Sequence, residues 1–183
     1  MVNYSGGGDN QTAKLGLAAA PFPIEMINNI GLPLSNGFII GALVRPLVPH
    51  ISRLALFLGT AGVTPNGVNA MALLDASGNL IDRTGDLSTA WSTAGNNGLY
   101  VPAALSLGAA AVSTSADYYV CALGHMVTPP NIAGFFAGGG VSYPTVLGNK
   151  PVIADGGHAD FPAALNIAGA AGGNGGYWLV GEP

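Results

Sequence analysis

The chain has 183 residues and a mass of 18.2 kDa, enough for one substantial core and too little for a second independent domain. Hydrophobic residues make up 49% of it, which excludes disorder of the whole, and a net charge of −4 with five scattered basic residues leaves no footprint for binding nucleic acid through its phosphates. Only 8% of residues are charged, against roughly 25% in an ordinary soluble domain, so a good part of the surface is expected to be covered by partner subunits.

Twenty-nine glycines and 13 prolines suit short strands and many turns better than a helical bundle. Residues 1–35 open on Gly6-Gly7-Gly8, and Pro21, Pro23 and Pro33 forbid a long helix there. Ile24, Met26, Ile27, Ile30, Leu32 and Leu34 are apolar without amounting to a core of their own. The expectation is an extended N-terminal arm over 1–35, for docking or oligomerisation, that buries Ile24, Ile27, Ile30 and Leu34 on the body or on a neighbouring subunit. Residues 36–183 then form the body. The start MVNYSGGGDN has neither the basic nor the apolar region of a secretory leader, so synthesis in a cytoplasm is expected. The apolar runs GFIIGALV and ALSLGAAAV fall far short of the roughly 20 residues of a membrane span, so no membrane insertion is expected.

The body begins with NGFIIGALV (36–44), a turn signal followed by a strand, closed by Arg45-Pro46. ISRLALFL (51–58) and VNAMALL (68–74) are apolar runs of strand length, separated by the turn-rich GTAGVTPNG. Asp75-Ala76-Ser77-Gly78-Asn79 reads as a tight hairpin turn leading to a third strand, NLIDRT (79–84). LSTAWST (87–93) is short and β-prone, and LYVPAALSL (99–107) carries Pro102, which places it at a sheet edge. ADYYVCALGHM (116–126) is a clear strand, with Tyr119, Cys121 and Leu123 on one face and Tyr118, Val120 and Ala122 on the other. Beyond Thr128-Pro129-Pro130 the pattern loosens into glycine- and proline-rich connections, until GYWLVGE supplies a final strand that ties down the end of the chain. The fold predicted is all-β, an antiparallel jelly-roll-like β-sandwich with the extended arm in front.

Candidate chemistry is sparse. Cys121 is the only cysteine, flanked by apolar residues, and reads as a buried, inert thiol. His125 sits four residues along the same strand, roughly 13 Å away, too far to serve Cys121 as a base. The segment Asp155-Gly156-Gly157-His158-Ala159-Asp160 crowds two carboxylates and an imidazole but lacks any recognised cation-loop spacing, so a solvated loop is expected and no metal or cofactor is assigned. The glycine runs lack the Lys-Ser/Thr of a phosphate loop, no nucleophile elbow exists, and the chain is read as non-enzymatic. Trp91, Tyr100 and Tyr143 are candidates for glycan contact through aromatic stacking.

The succession LALFLGTAGVTPNGVNAMALLDASGNLIDRTGD, then Trp91, then DYYVCALGHMVTPP, over about residues 36–130, resembles a β-sandwich module of virion proteins of tailed bacteriophages, especially those of actinobacteria. In that family the module occurs in minor tail or fibre proteins and in small capsid decoration proteins, and no catalytic residues come with it. The chain lacks the long repetitive shaft of the fibre versions, which favours a compact protein bound on the particle surface. The resemblance implies a virion protein assembled in the host cytoplasm, its partners being its own copies, as a homotrimer, and the major capsid or tail subunits. A minor tail or fibre-head protein binding a host-surface receptor or glycan is the alternative.

Overall fold

The computed structural model describes residues 16–21, 29–136, 152–172 and 175–183, and among them the chain is almost entirely antiparallel β. One sheet is built from β1 (Asn29–Pro33), β4 (Arg53–Thr60), β8 (Leu99–Ala104), β12 (Asn131–Phe136), β15 (Gly175–Tyr177) and β16 (Leu179–Glu182). Its main path runs β1-β12-β4-β16, with β15 joined to β12 and β8 to β4. The second sheet has the order β14-β13-β2-β10-β6-β7, from β2 (Phe38–Val44), β6 (Ala70–Asp75), β7 (Leu80–Arg83), β10 (Tyr118–Leu123), β13 (Val152–Gly156) and β14 (Ala171–Gly172). Two short ribbons complete the structure: β3 (His50–Ile51) with β9 (Ala110–Ala111), and β5 (Val63–Pro65) with β11 (Met126–Thr128).

The sheets form a sandwich because each strand turns one set of alternate side chains to the shared core. That core takes Ile40, Ala42 and Val44 from β2, Leu54, Leu56 and Leu58 from β4, Met71 and Leu73 from β6, and Val120 and Ala122 from β10. The two-face pattern read in residues 118–123 is the observed one: Tyr119, Cys121 and Leu123 point away from the shared core into a second cluster with Ile39, Leu74 and Ile153. Phe161, Leu165 and Ala170 close this second cluster from outside. The second sheet is thus apolar on both faces, which explains why its inner strands read as continuous hydrophobic runs. Gly41 lets β2 fit between its neighbours, since a Cβ there would lie 2.6 Å from Cys121 Sγ and 2.8 Å from Ile153 Cγ1.

The Asp75–Asn79 turn forms as its chemistry dictates. Gly78 adopts φ 93°, and Asp75 Oδ1 accepts from the N–H groups of Ser77 and Asn79, each at 2.9 Å. β8 pairs only with β4, the edge position that Pro102 requires. The final segment pairs back as expected, β16 lying along β4 from Leu179↔Leu56 to Glu182↔Arg53.

Four expectations change. LSTAWST is not a strand: Ser88–Ser92 is a short helix, α1, opened by Asp86 Oδ1 accepting from Ser88 N–H (3.1 Å), and it inserts Trp91 into the core. The stretches treated as loose connections contain β12, which joins β1 to β4, and β13, which pairs with β2 from Val152↔Ala42 to Gly156↔Phe38. The run 51–58 is broken at Ser52, whose N–H turns to Glu182 O (2.8 Å), dividing β3 from β4. The described parts of the arm are built into the body: β1 pairs with β12, while Ala18 and Ala19 donate to Gly181 O at 2.7 and 3.1 Å along the edge of β16.

Candidate interaction surface

The proposed arm contacts fall in different environments. Ile24 and Ile27 lie outside the described residues, and Ile30 sits within β1. Leu34 is fully buried in the chain's own core, with its side chain against Gly124, so among its two foreseen positions it takes the body.

Of the three candidate glycan contacts, Trp91 is corrected: it is wholly buried under α1 and offers no face to a sugar. Tyr143 lies outside the described residues. Tyr100 is half-buried on the outer face of β8, its ring 5.9 Å from that of Trp178 and tilted by 58°. Its hydroxyl donates to Glu182 Oε1 at 2.7 Å, and Arg53 stands 3.6 Å from the same carboxylate. Burial first, then the Glu182 hydrogen bond and charge, push the Tyr100 phenol far above its ordinary range. The result is a fixed, uncharged ring with one edge tied down.

The Asp155–Asp160 loop is held by its own side chains. His158 Nε2 lies 2.8 Å from Asp155 Oδ2, Asp160 pairs with Arg83, and His158 O meets His125 Nε2 at 2.7 Å. Among the described residues no group of three or more His, Cys, Asp or Glu is placed to hold a metal ion. Cys121 is completely buried between β2 and β6, and burial drives its thiol pKa far up, so it is not a nucleophile at neutral pH.

A feature that the sequence reading missed lies at the end of the sandwich where β4 finishes. Beyond Thr60 the chain forms the β5–β11 ribbon, in register at Met126↔Pro65 and Thr128↔Val63. Asn69 anchors the ribbon's base: fully buried, it accepts from His125 N–H (2.9 Å) and donates to Gly67 O (3.0 Å), Ser88 Oγ (2.9 Å) and His125 O (3.2 Å). Ala61 N–H donates to Asn97 Oδ1 at 2.6 Å and Gly98 N–H to Leu58 O at 2.7 Å, which brings Leu99 to the same end. On this platform three aliphatic side chains face water, Val63 at 56%, Leu99 at 49% and Val127 at 67% exposure. The surrounding Thr64, Pro65, Asn66 and Thr128 are exposed and uncharged.

The ionised groups lie elsewhere. Arg45 pairs with Asp117 at the opposite ends of β2 and β10, and Arg53 with Glu182 at the start of β4. Residues 54–74, 87–116 and 118–149 contain no Asp, Glu, Lys or Arg at all. The signal was therefore present in the sequence as three long charge-free segments, but only the fold shows that two of them meet at the ribbon.

Compared with protein-family models, curated proteins and solved structures, the chain matches none. Its function is argued from its own surface and fold. Among the described residues no helix is long and apolar enough to cross a membrane.

Proposed function

We propose that this chain is a non-enzymatic structural protein of a tailed-bacteriophage virion, a capsid decoration protein that binds the particle surface as an oligomer. The observation that carries the reading is the charge-free end of the sandwich, where Val63, Leu99 and Val127 stand in water on a rigid platform. A free domain normally clothes such an end with Lys and Glu, and its absence here fits a surface that is covered in the working assembly. Burying each aliphatic side chain contributes roughly 1.5–3 kcal/mol before ordering costs, and a multivalent array multiplies weak contacts into stable attachment. The antiparallel sandwich, with a jelly-roll-like connectivity as the finer expectation, and the resemblance of residues 36–130 to virion modules point the same way.

A second reading, a minor tail or fibre-head protein that touches a host glycan, draws on one observation. Tyr100 presents a half-exposed ring beside Arg53 and Glu182, the combination of a stacking face and charged hydrogen-bonding groups that sugars use. Mass spectrometry of purified particles from a phage carrying this sequence separates the readings. Copy numbers that follow the capsid lattice support decoration, a few copies per particle support the tail, and absence from the particle overturns both.

A further inference from the structure

The β5–β11 ribbon differs from the rest of the surface in three independent ways. Its exposed side chains are aliphatic or uncharged, Val63 and Val127 above all. Each of its strands pairs only with the other, so each has an outer edge carrying no ladder, and neither edge has the Lys, Glu or bulky charge that keeps exposed edges apart. Thr64, in the middle of β5, holds φ 54°, the only positive φ of a non-glycine residue among those described, and a conformation that β-branched residues rarely adopt.

We infer that the ribbon is the self-association surface of this protein, and that its occupant is the same ribbon of a neighbouring copy, gathered around a cyclic symmetry axis. The inference rests on the structural-protein reading above and names the partner at that surface. Charge decides between occupants. Where identical patches converge on an axis, each patch meets itself, so any net charge on it would repel its own copy. This patch has none: the segments that build it, 54–74 and 118–149, are free of ionised side chains. A partner with a charged docking face would lose its hydration and find no opposite charge here, whereas a second copy presents a surface of the required kind. The size of the contact sets its strength. Six exposed residues per copy, Val63 to Asn66 with Val127 and Thr128, fall well short of the roughly 20–30 of a standard interface, so association is weak and concentration-dependent in free solution.

The test is light scattering coupled to size-exclusion chromatography, run on the full chain over a wide concentration range, with no particle present. The wild-type mass should rise with concentration towards a dimer or trimer. The double variant Val63→Glu/Val127→Glu should stay monomeric, with association weakened about a hundredfold or more, because each contact would then bury like charges. Ala111→Glu, beside His50 and about 25 Å away along β4, should associate as the wild type does. Should the double glutamate variant lose its fold by circular dichroism, Val63→Ser/Val127→Ser replaces it and should still shift the equilibrium towards monomer. A wild-type chain that is monomeric throughout, or a folded ribbon variant that associates normally, overturns the inference. Either result leaves the particle copy number untouched, so a failure here is distinguishable from a failure of the virion reading.

Discussion

Leu34 shows how a residue's chemistry outruns its position in the chain. It lies in a proline-punctuated segment that reads as an arm, yet it is fully buried beside Gly124 at the end of β10. Leu34→Ala is expected to cost about 2–5 kcal/mol in urea unfolding, the range for a core leucine whose cavity relaxes incompletely. Gly41 makes the opposite point: a methyl group there would press on Cys121 and Ile153, and Gly41→Ala is expected to destabilise by about 1–3 kcal/mol. Cys121 itself, buried and with its thiol pKa driven up, should resist thiol reagents in the native protein and react fully only in denaturant. What was legible at this scale came from alternation. Six consecutive apolar residues in β10 divide by parity onto two faces, so both cores could be read there. Leu34 and Trp91 were not legible, because an isolated apolar residue carries no period; the arm's apolar residues were noted, but only the sheet shows which of them the body uses.

At the scale of elements, the β6–β7 hairpin was the most readable because its turn is specified locally. Burial acts to raise the Asp75 pKa, but the side-chain hydrogen bond from Asn79 and the backbone bonds from Asn79, Ser77 and Gly78 outweigh it, and the group ends below its usual value of 3.8. The contribution is therefore complete above about pH 4, where the unfolded chain is also ionised, and is lost as pH falls through the lower folded value. Chemical denaturation at pH 6 and at pH 2.5 should show the wild type's advantage over Asp75→Ala shrinking at the lower pH. The strands β12 and β13 were harder to see, since Gly134 and the Gly156-Gly157 pair interrupt them and glycine argues locally for a loop. Tertiary pairing overrides that preference, and α1 likewise overrides the β-propensity of LSTAWST by burying Trp91. The integration of β1 revises what truncation should do. Deleting residues 1–15 leaves Leu17–Ala19, β1 and Leu34 in place and should keep the thermal midpoint near that of the full chain, whereas deleting residues 1–35 should lower it steeply.

For the whole molecule, two covered sheet faces explain how a chain with 49% hydrophobic residues finds room for them. The outer face of the second sheet lies under Phe161, Leu165 and Ala170, and that of the first gathers Leu17, Ala55, Trp178 and Val180. The apolar content is thus largely accounted for within one chain, but the scarcity of charge is not. It concentrates at one end, where the ribbon and Leu99 stand unclothed, and this unequal distribution is what points to assembly. The scarcity was visible in composition, whereas its location depended on β5, β11 and α1 coming together, none of which the sequence announces. The most direct measurement is a cryo-electron microscopy map of the native particle at a resolution that places side chains. The account predicts this sandwich on the particle surface with Val63, Leu99 and Val127 buried against protein; a map in which that end faces bulk solvent, or in which the chain has no place on the particle, would contradict it.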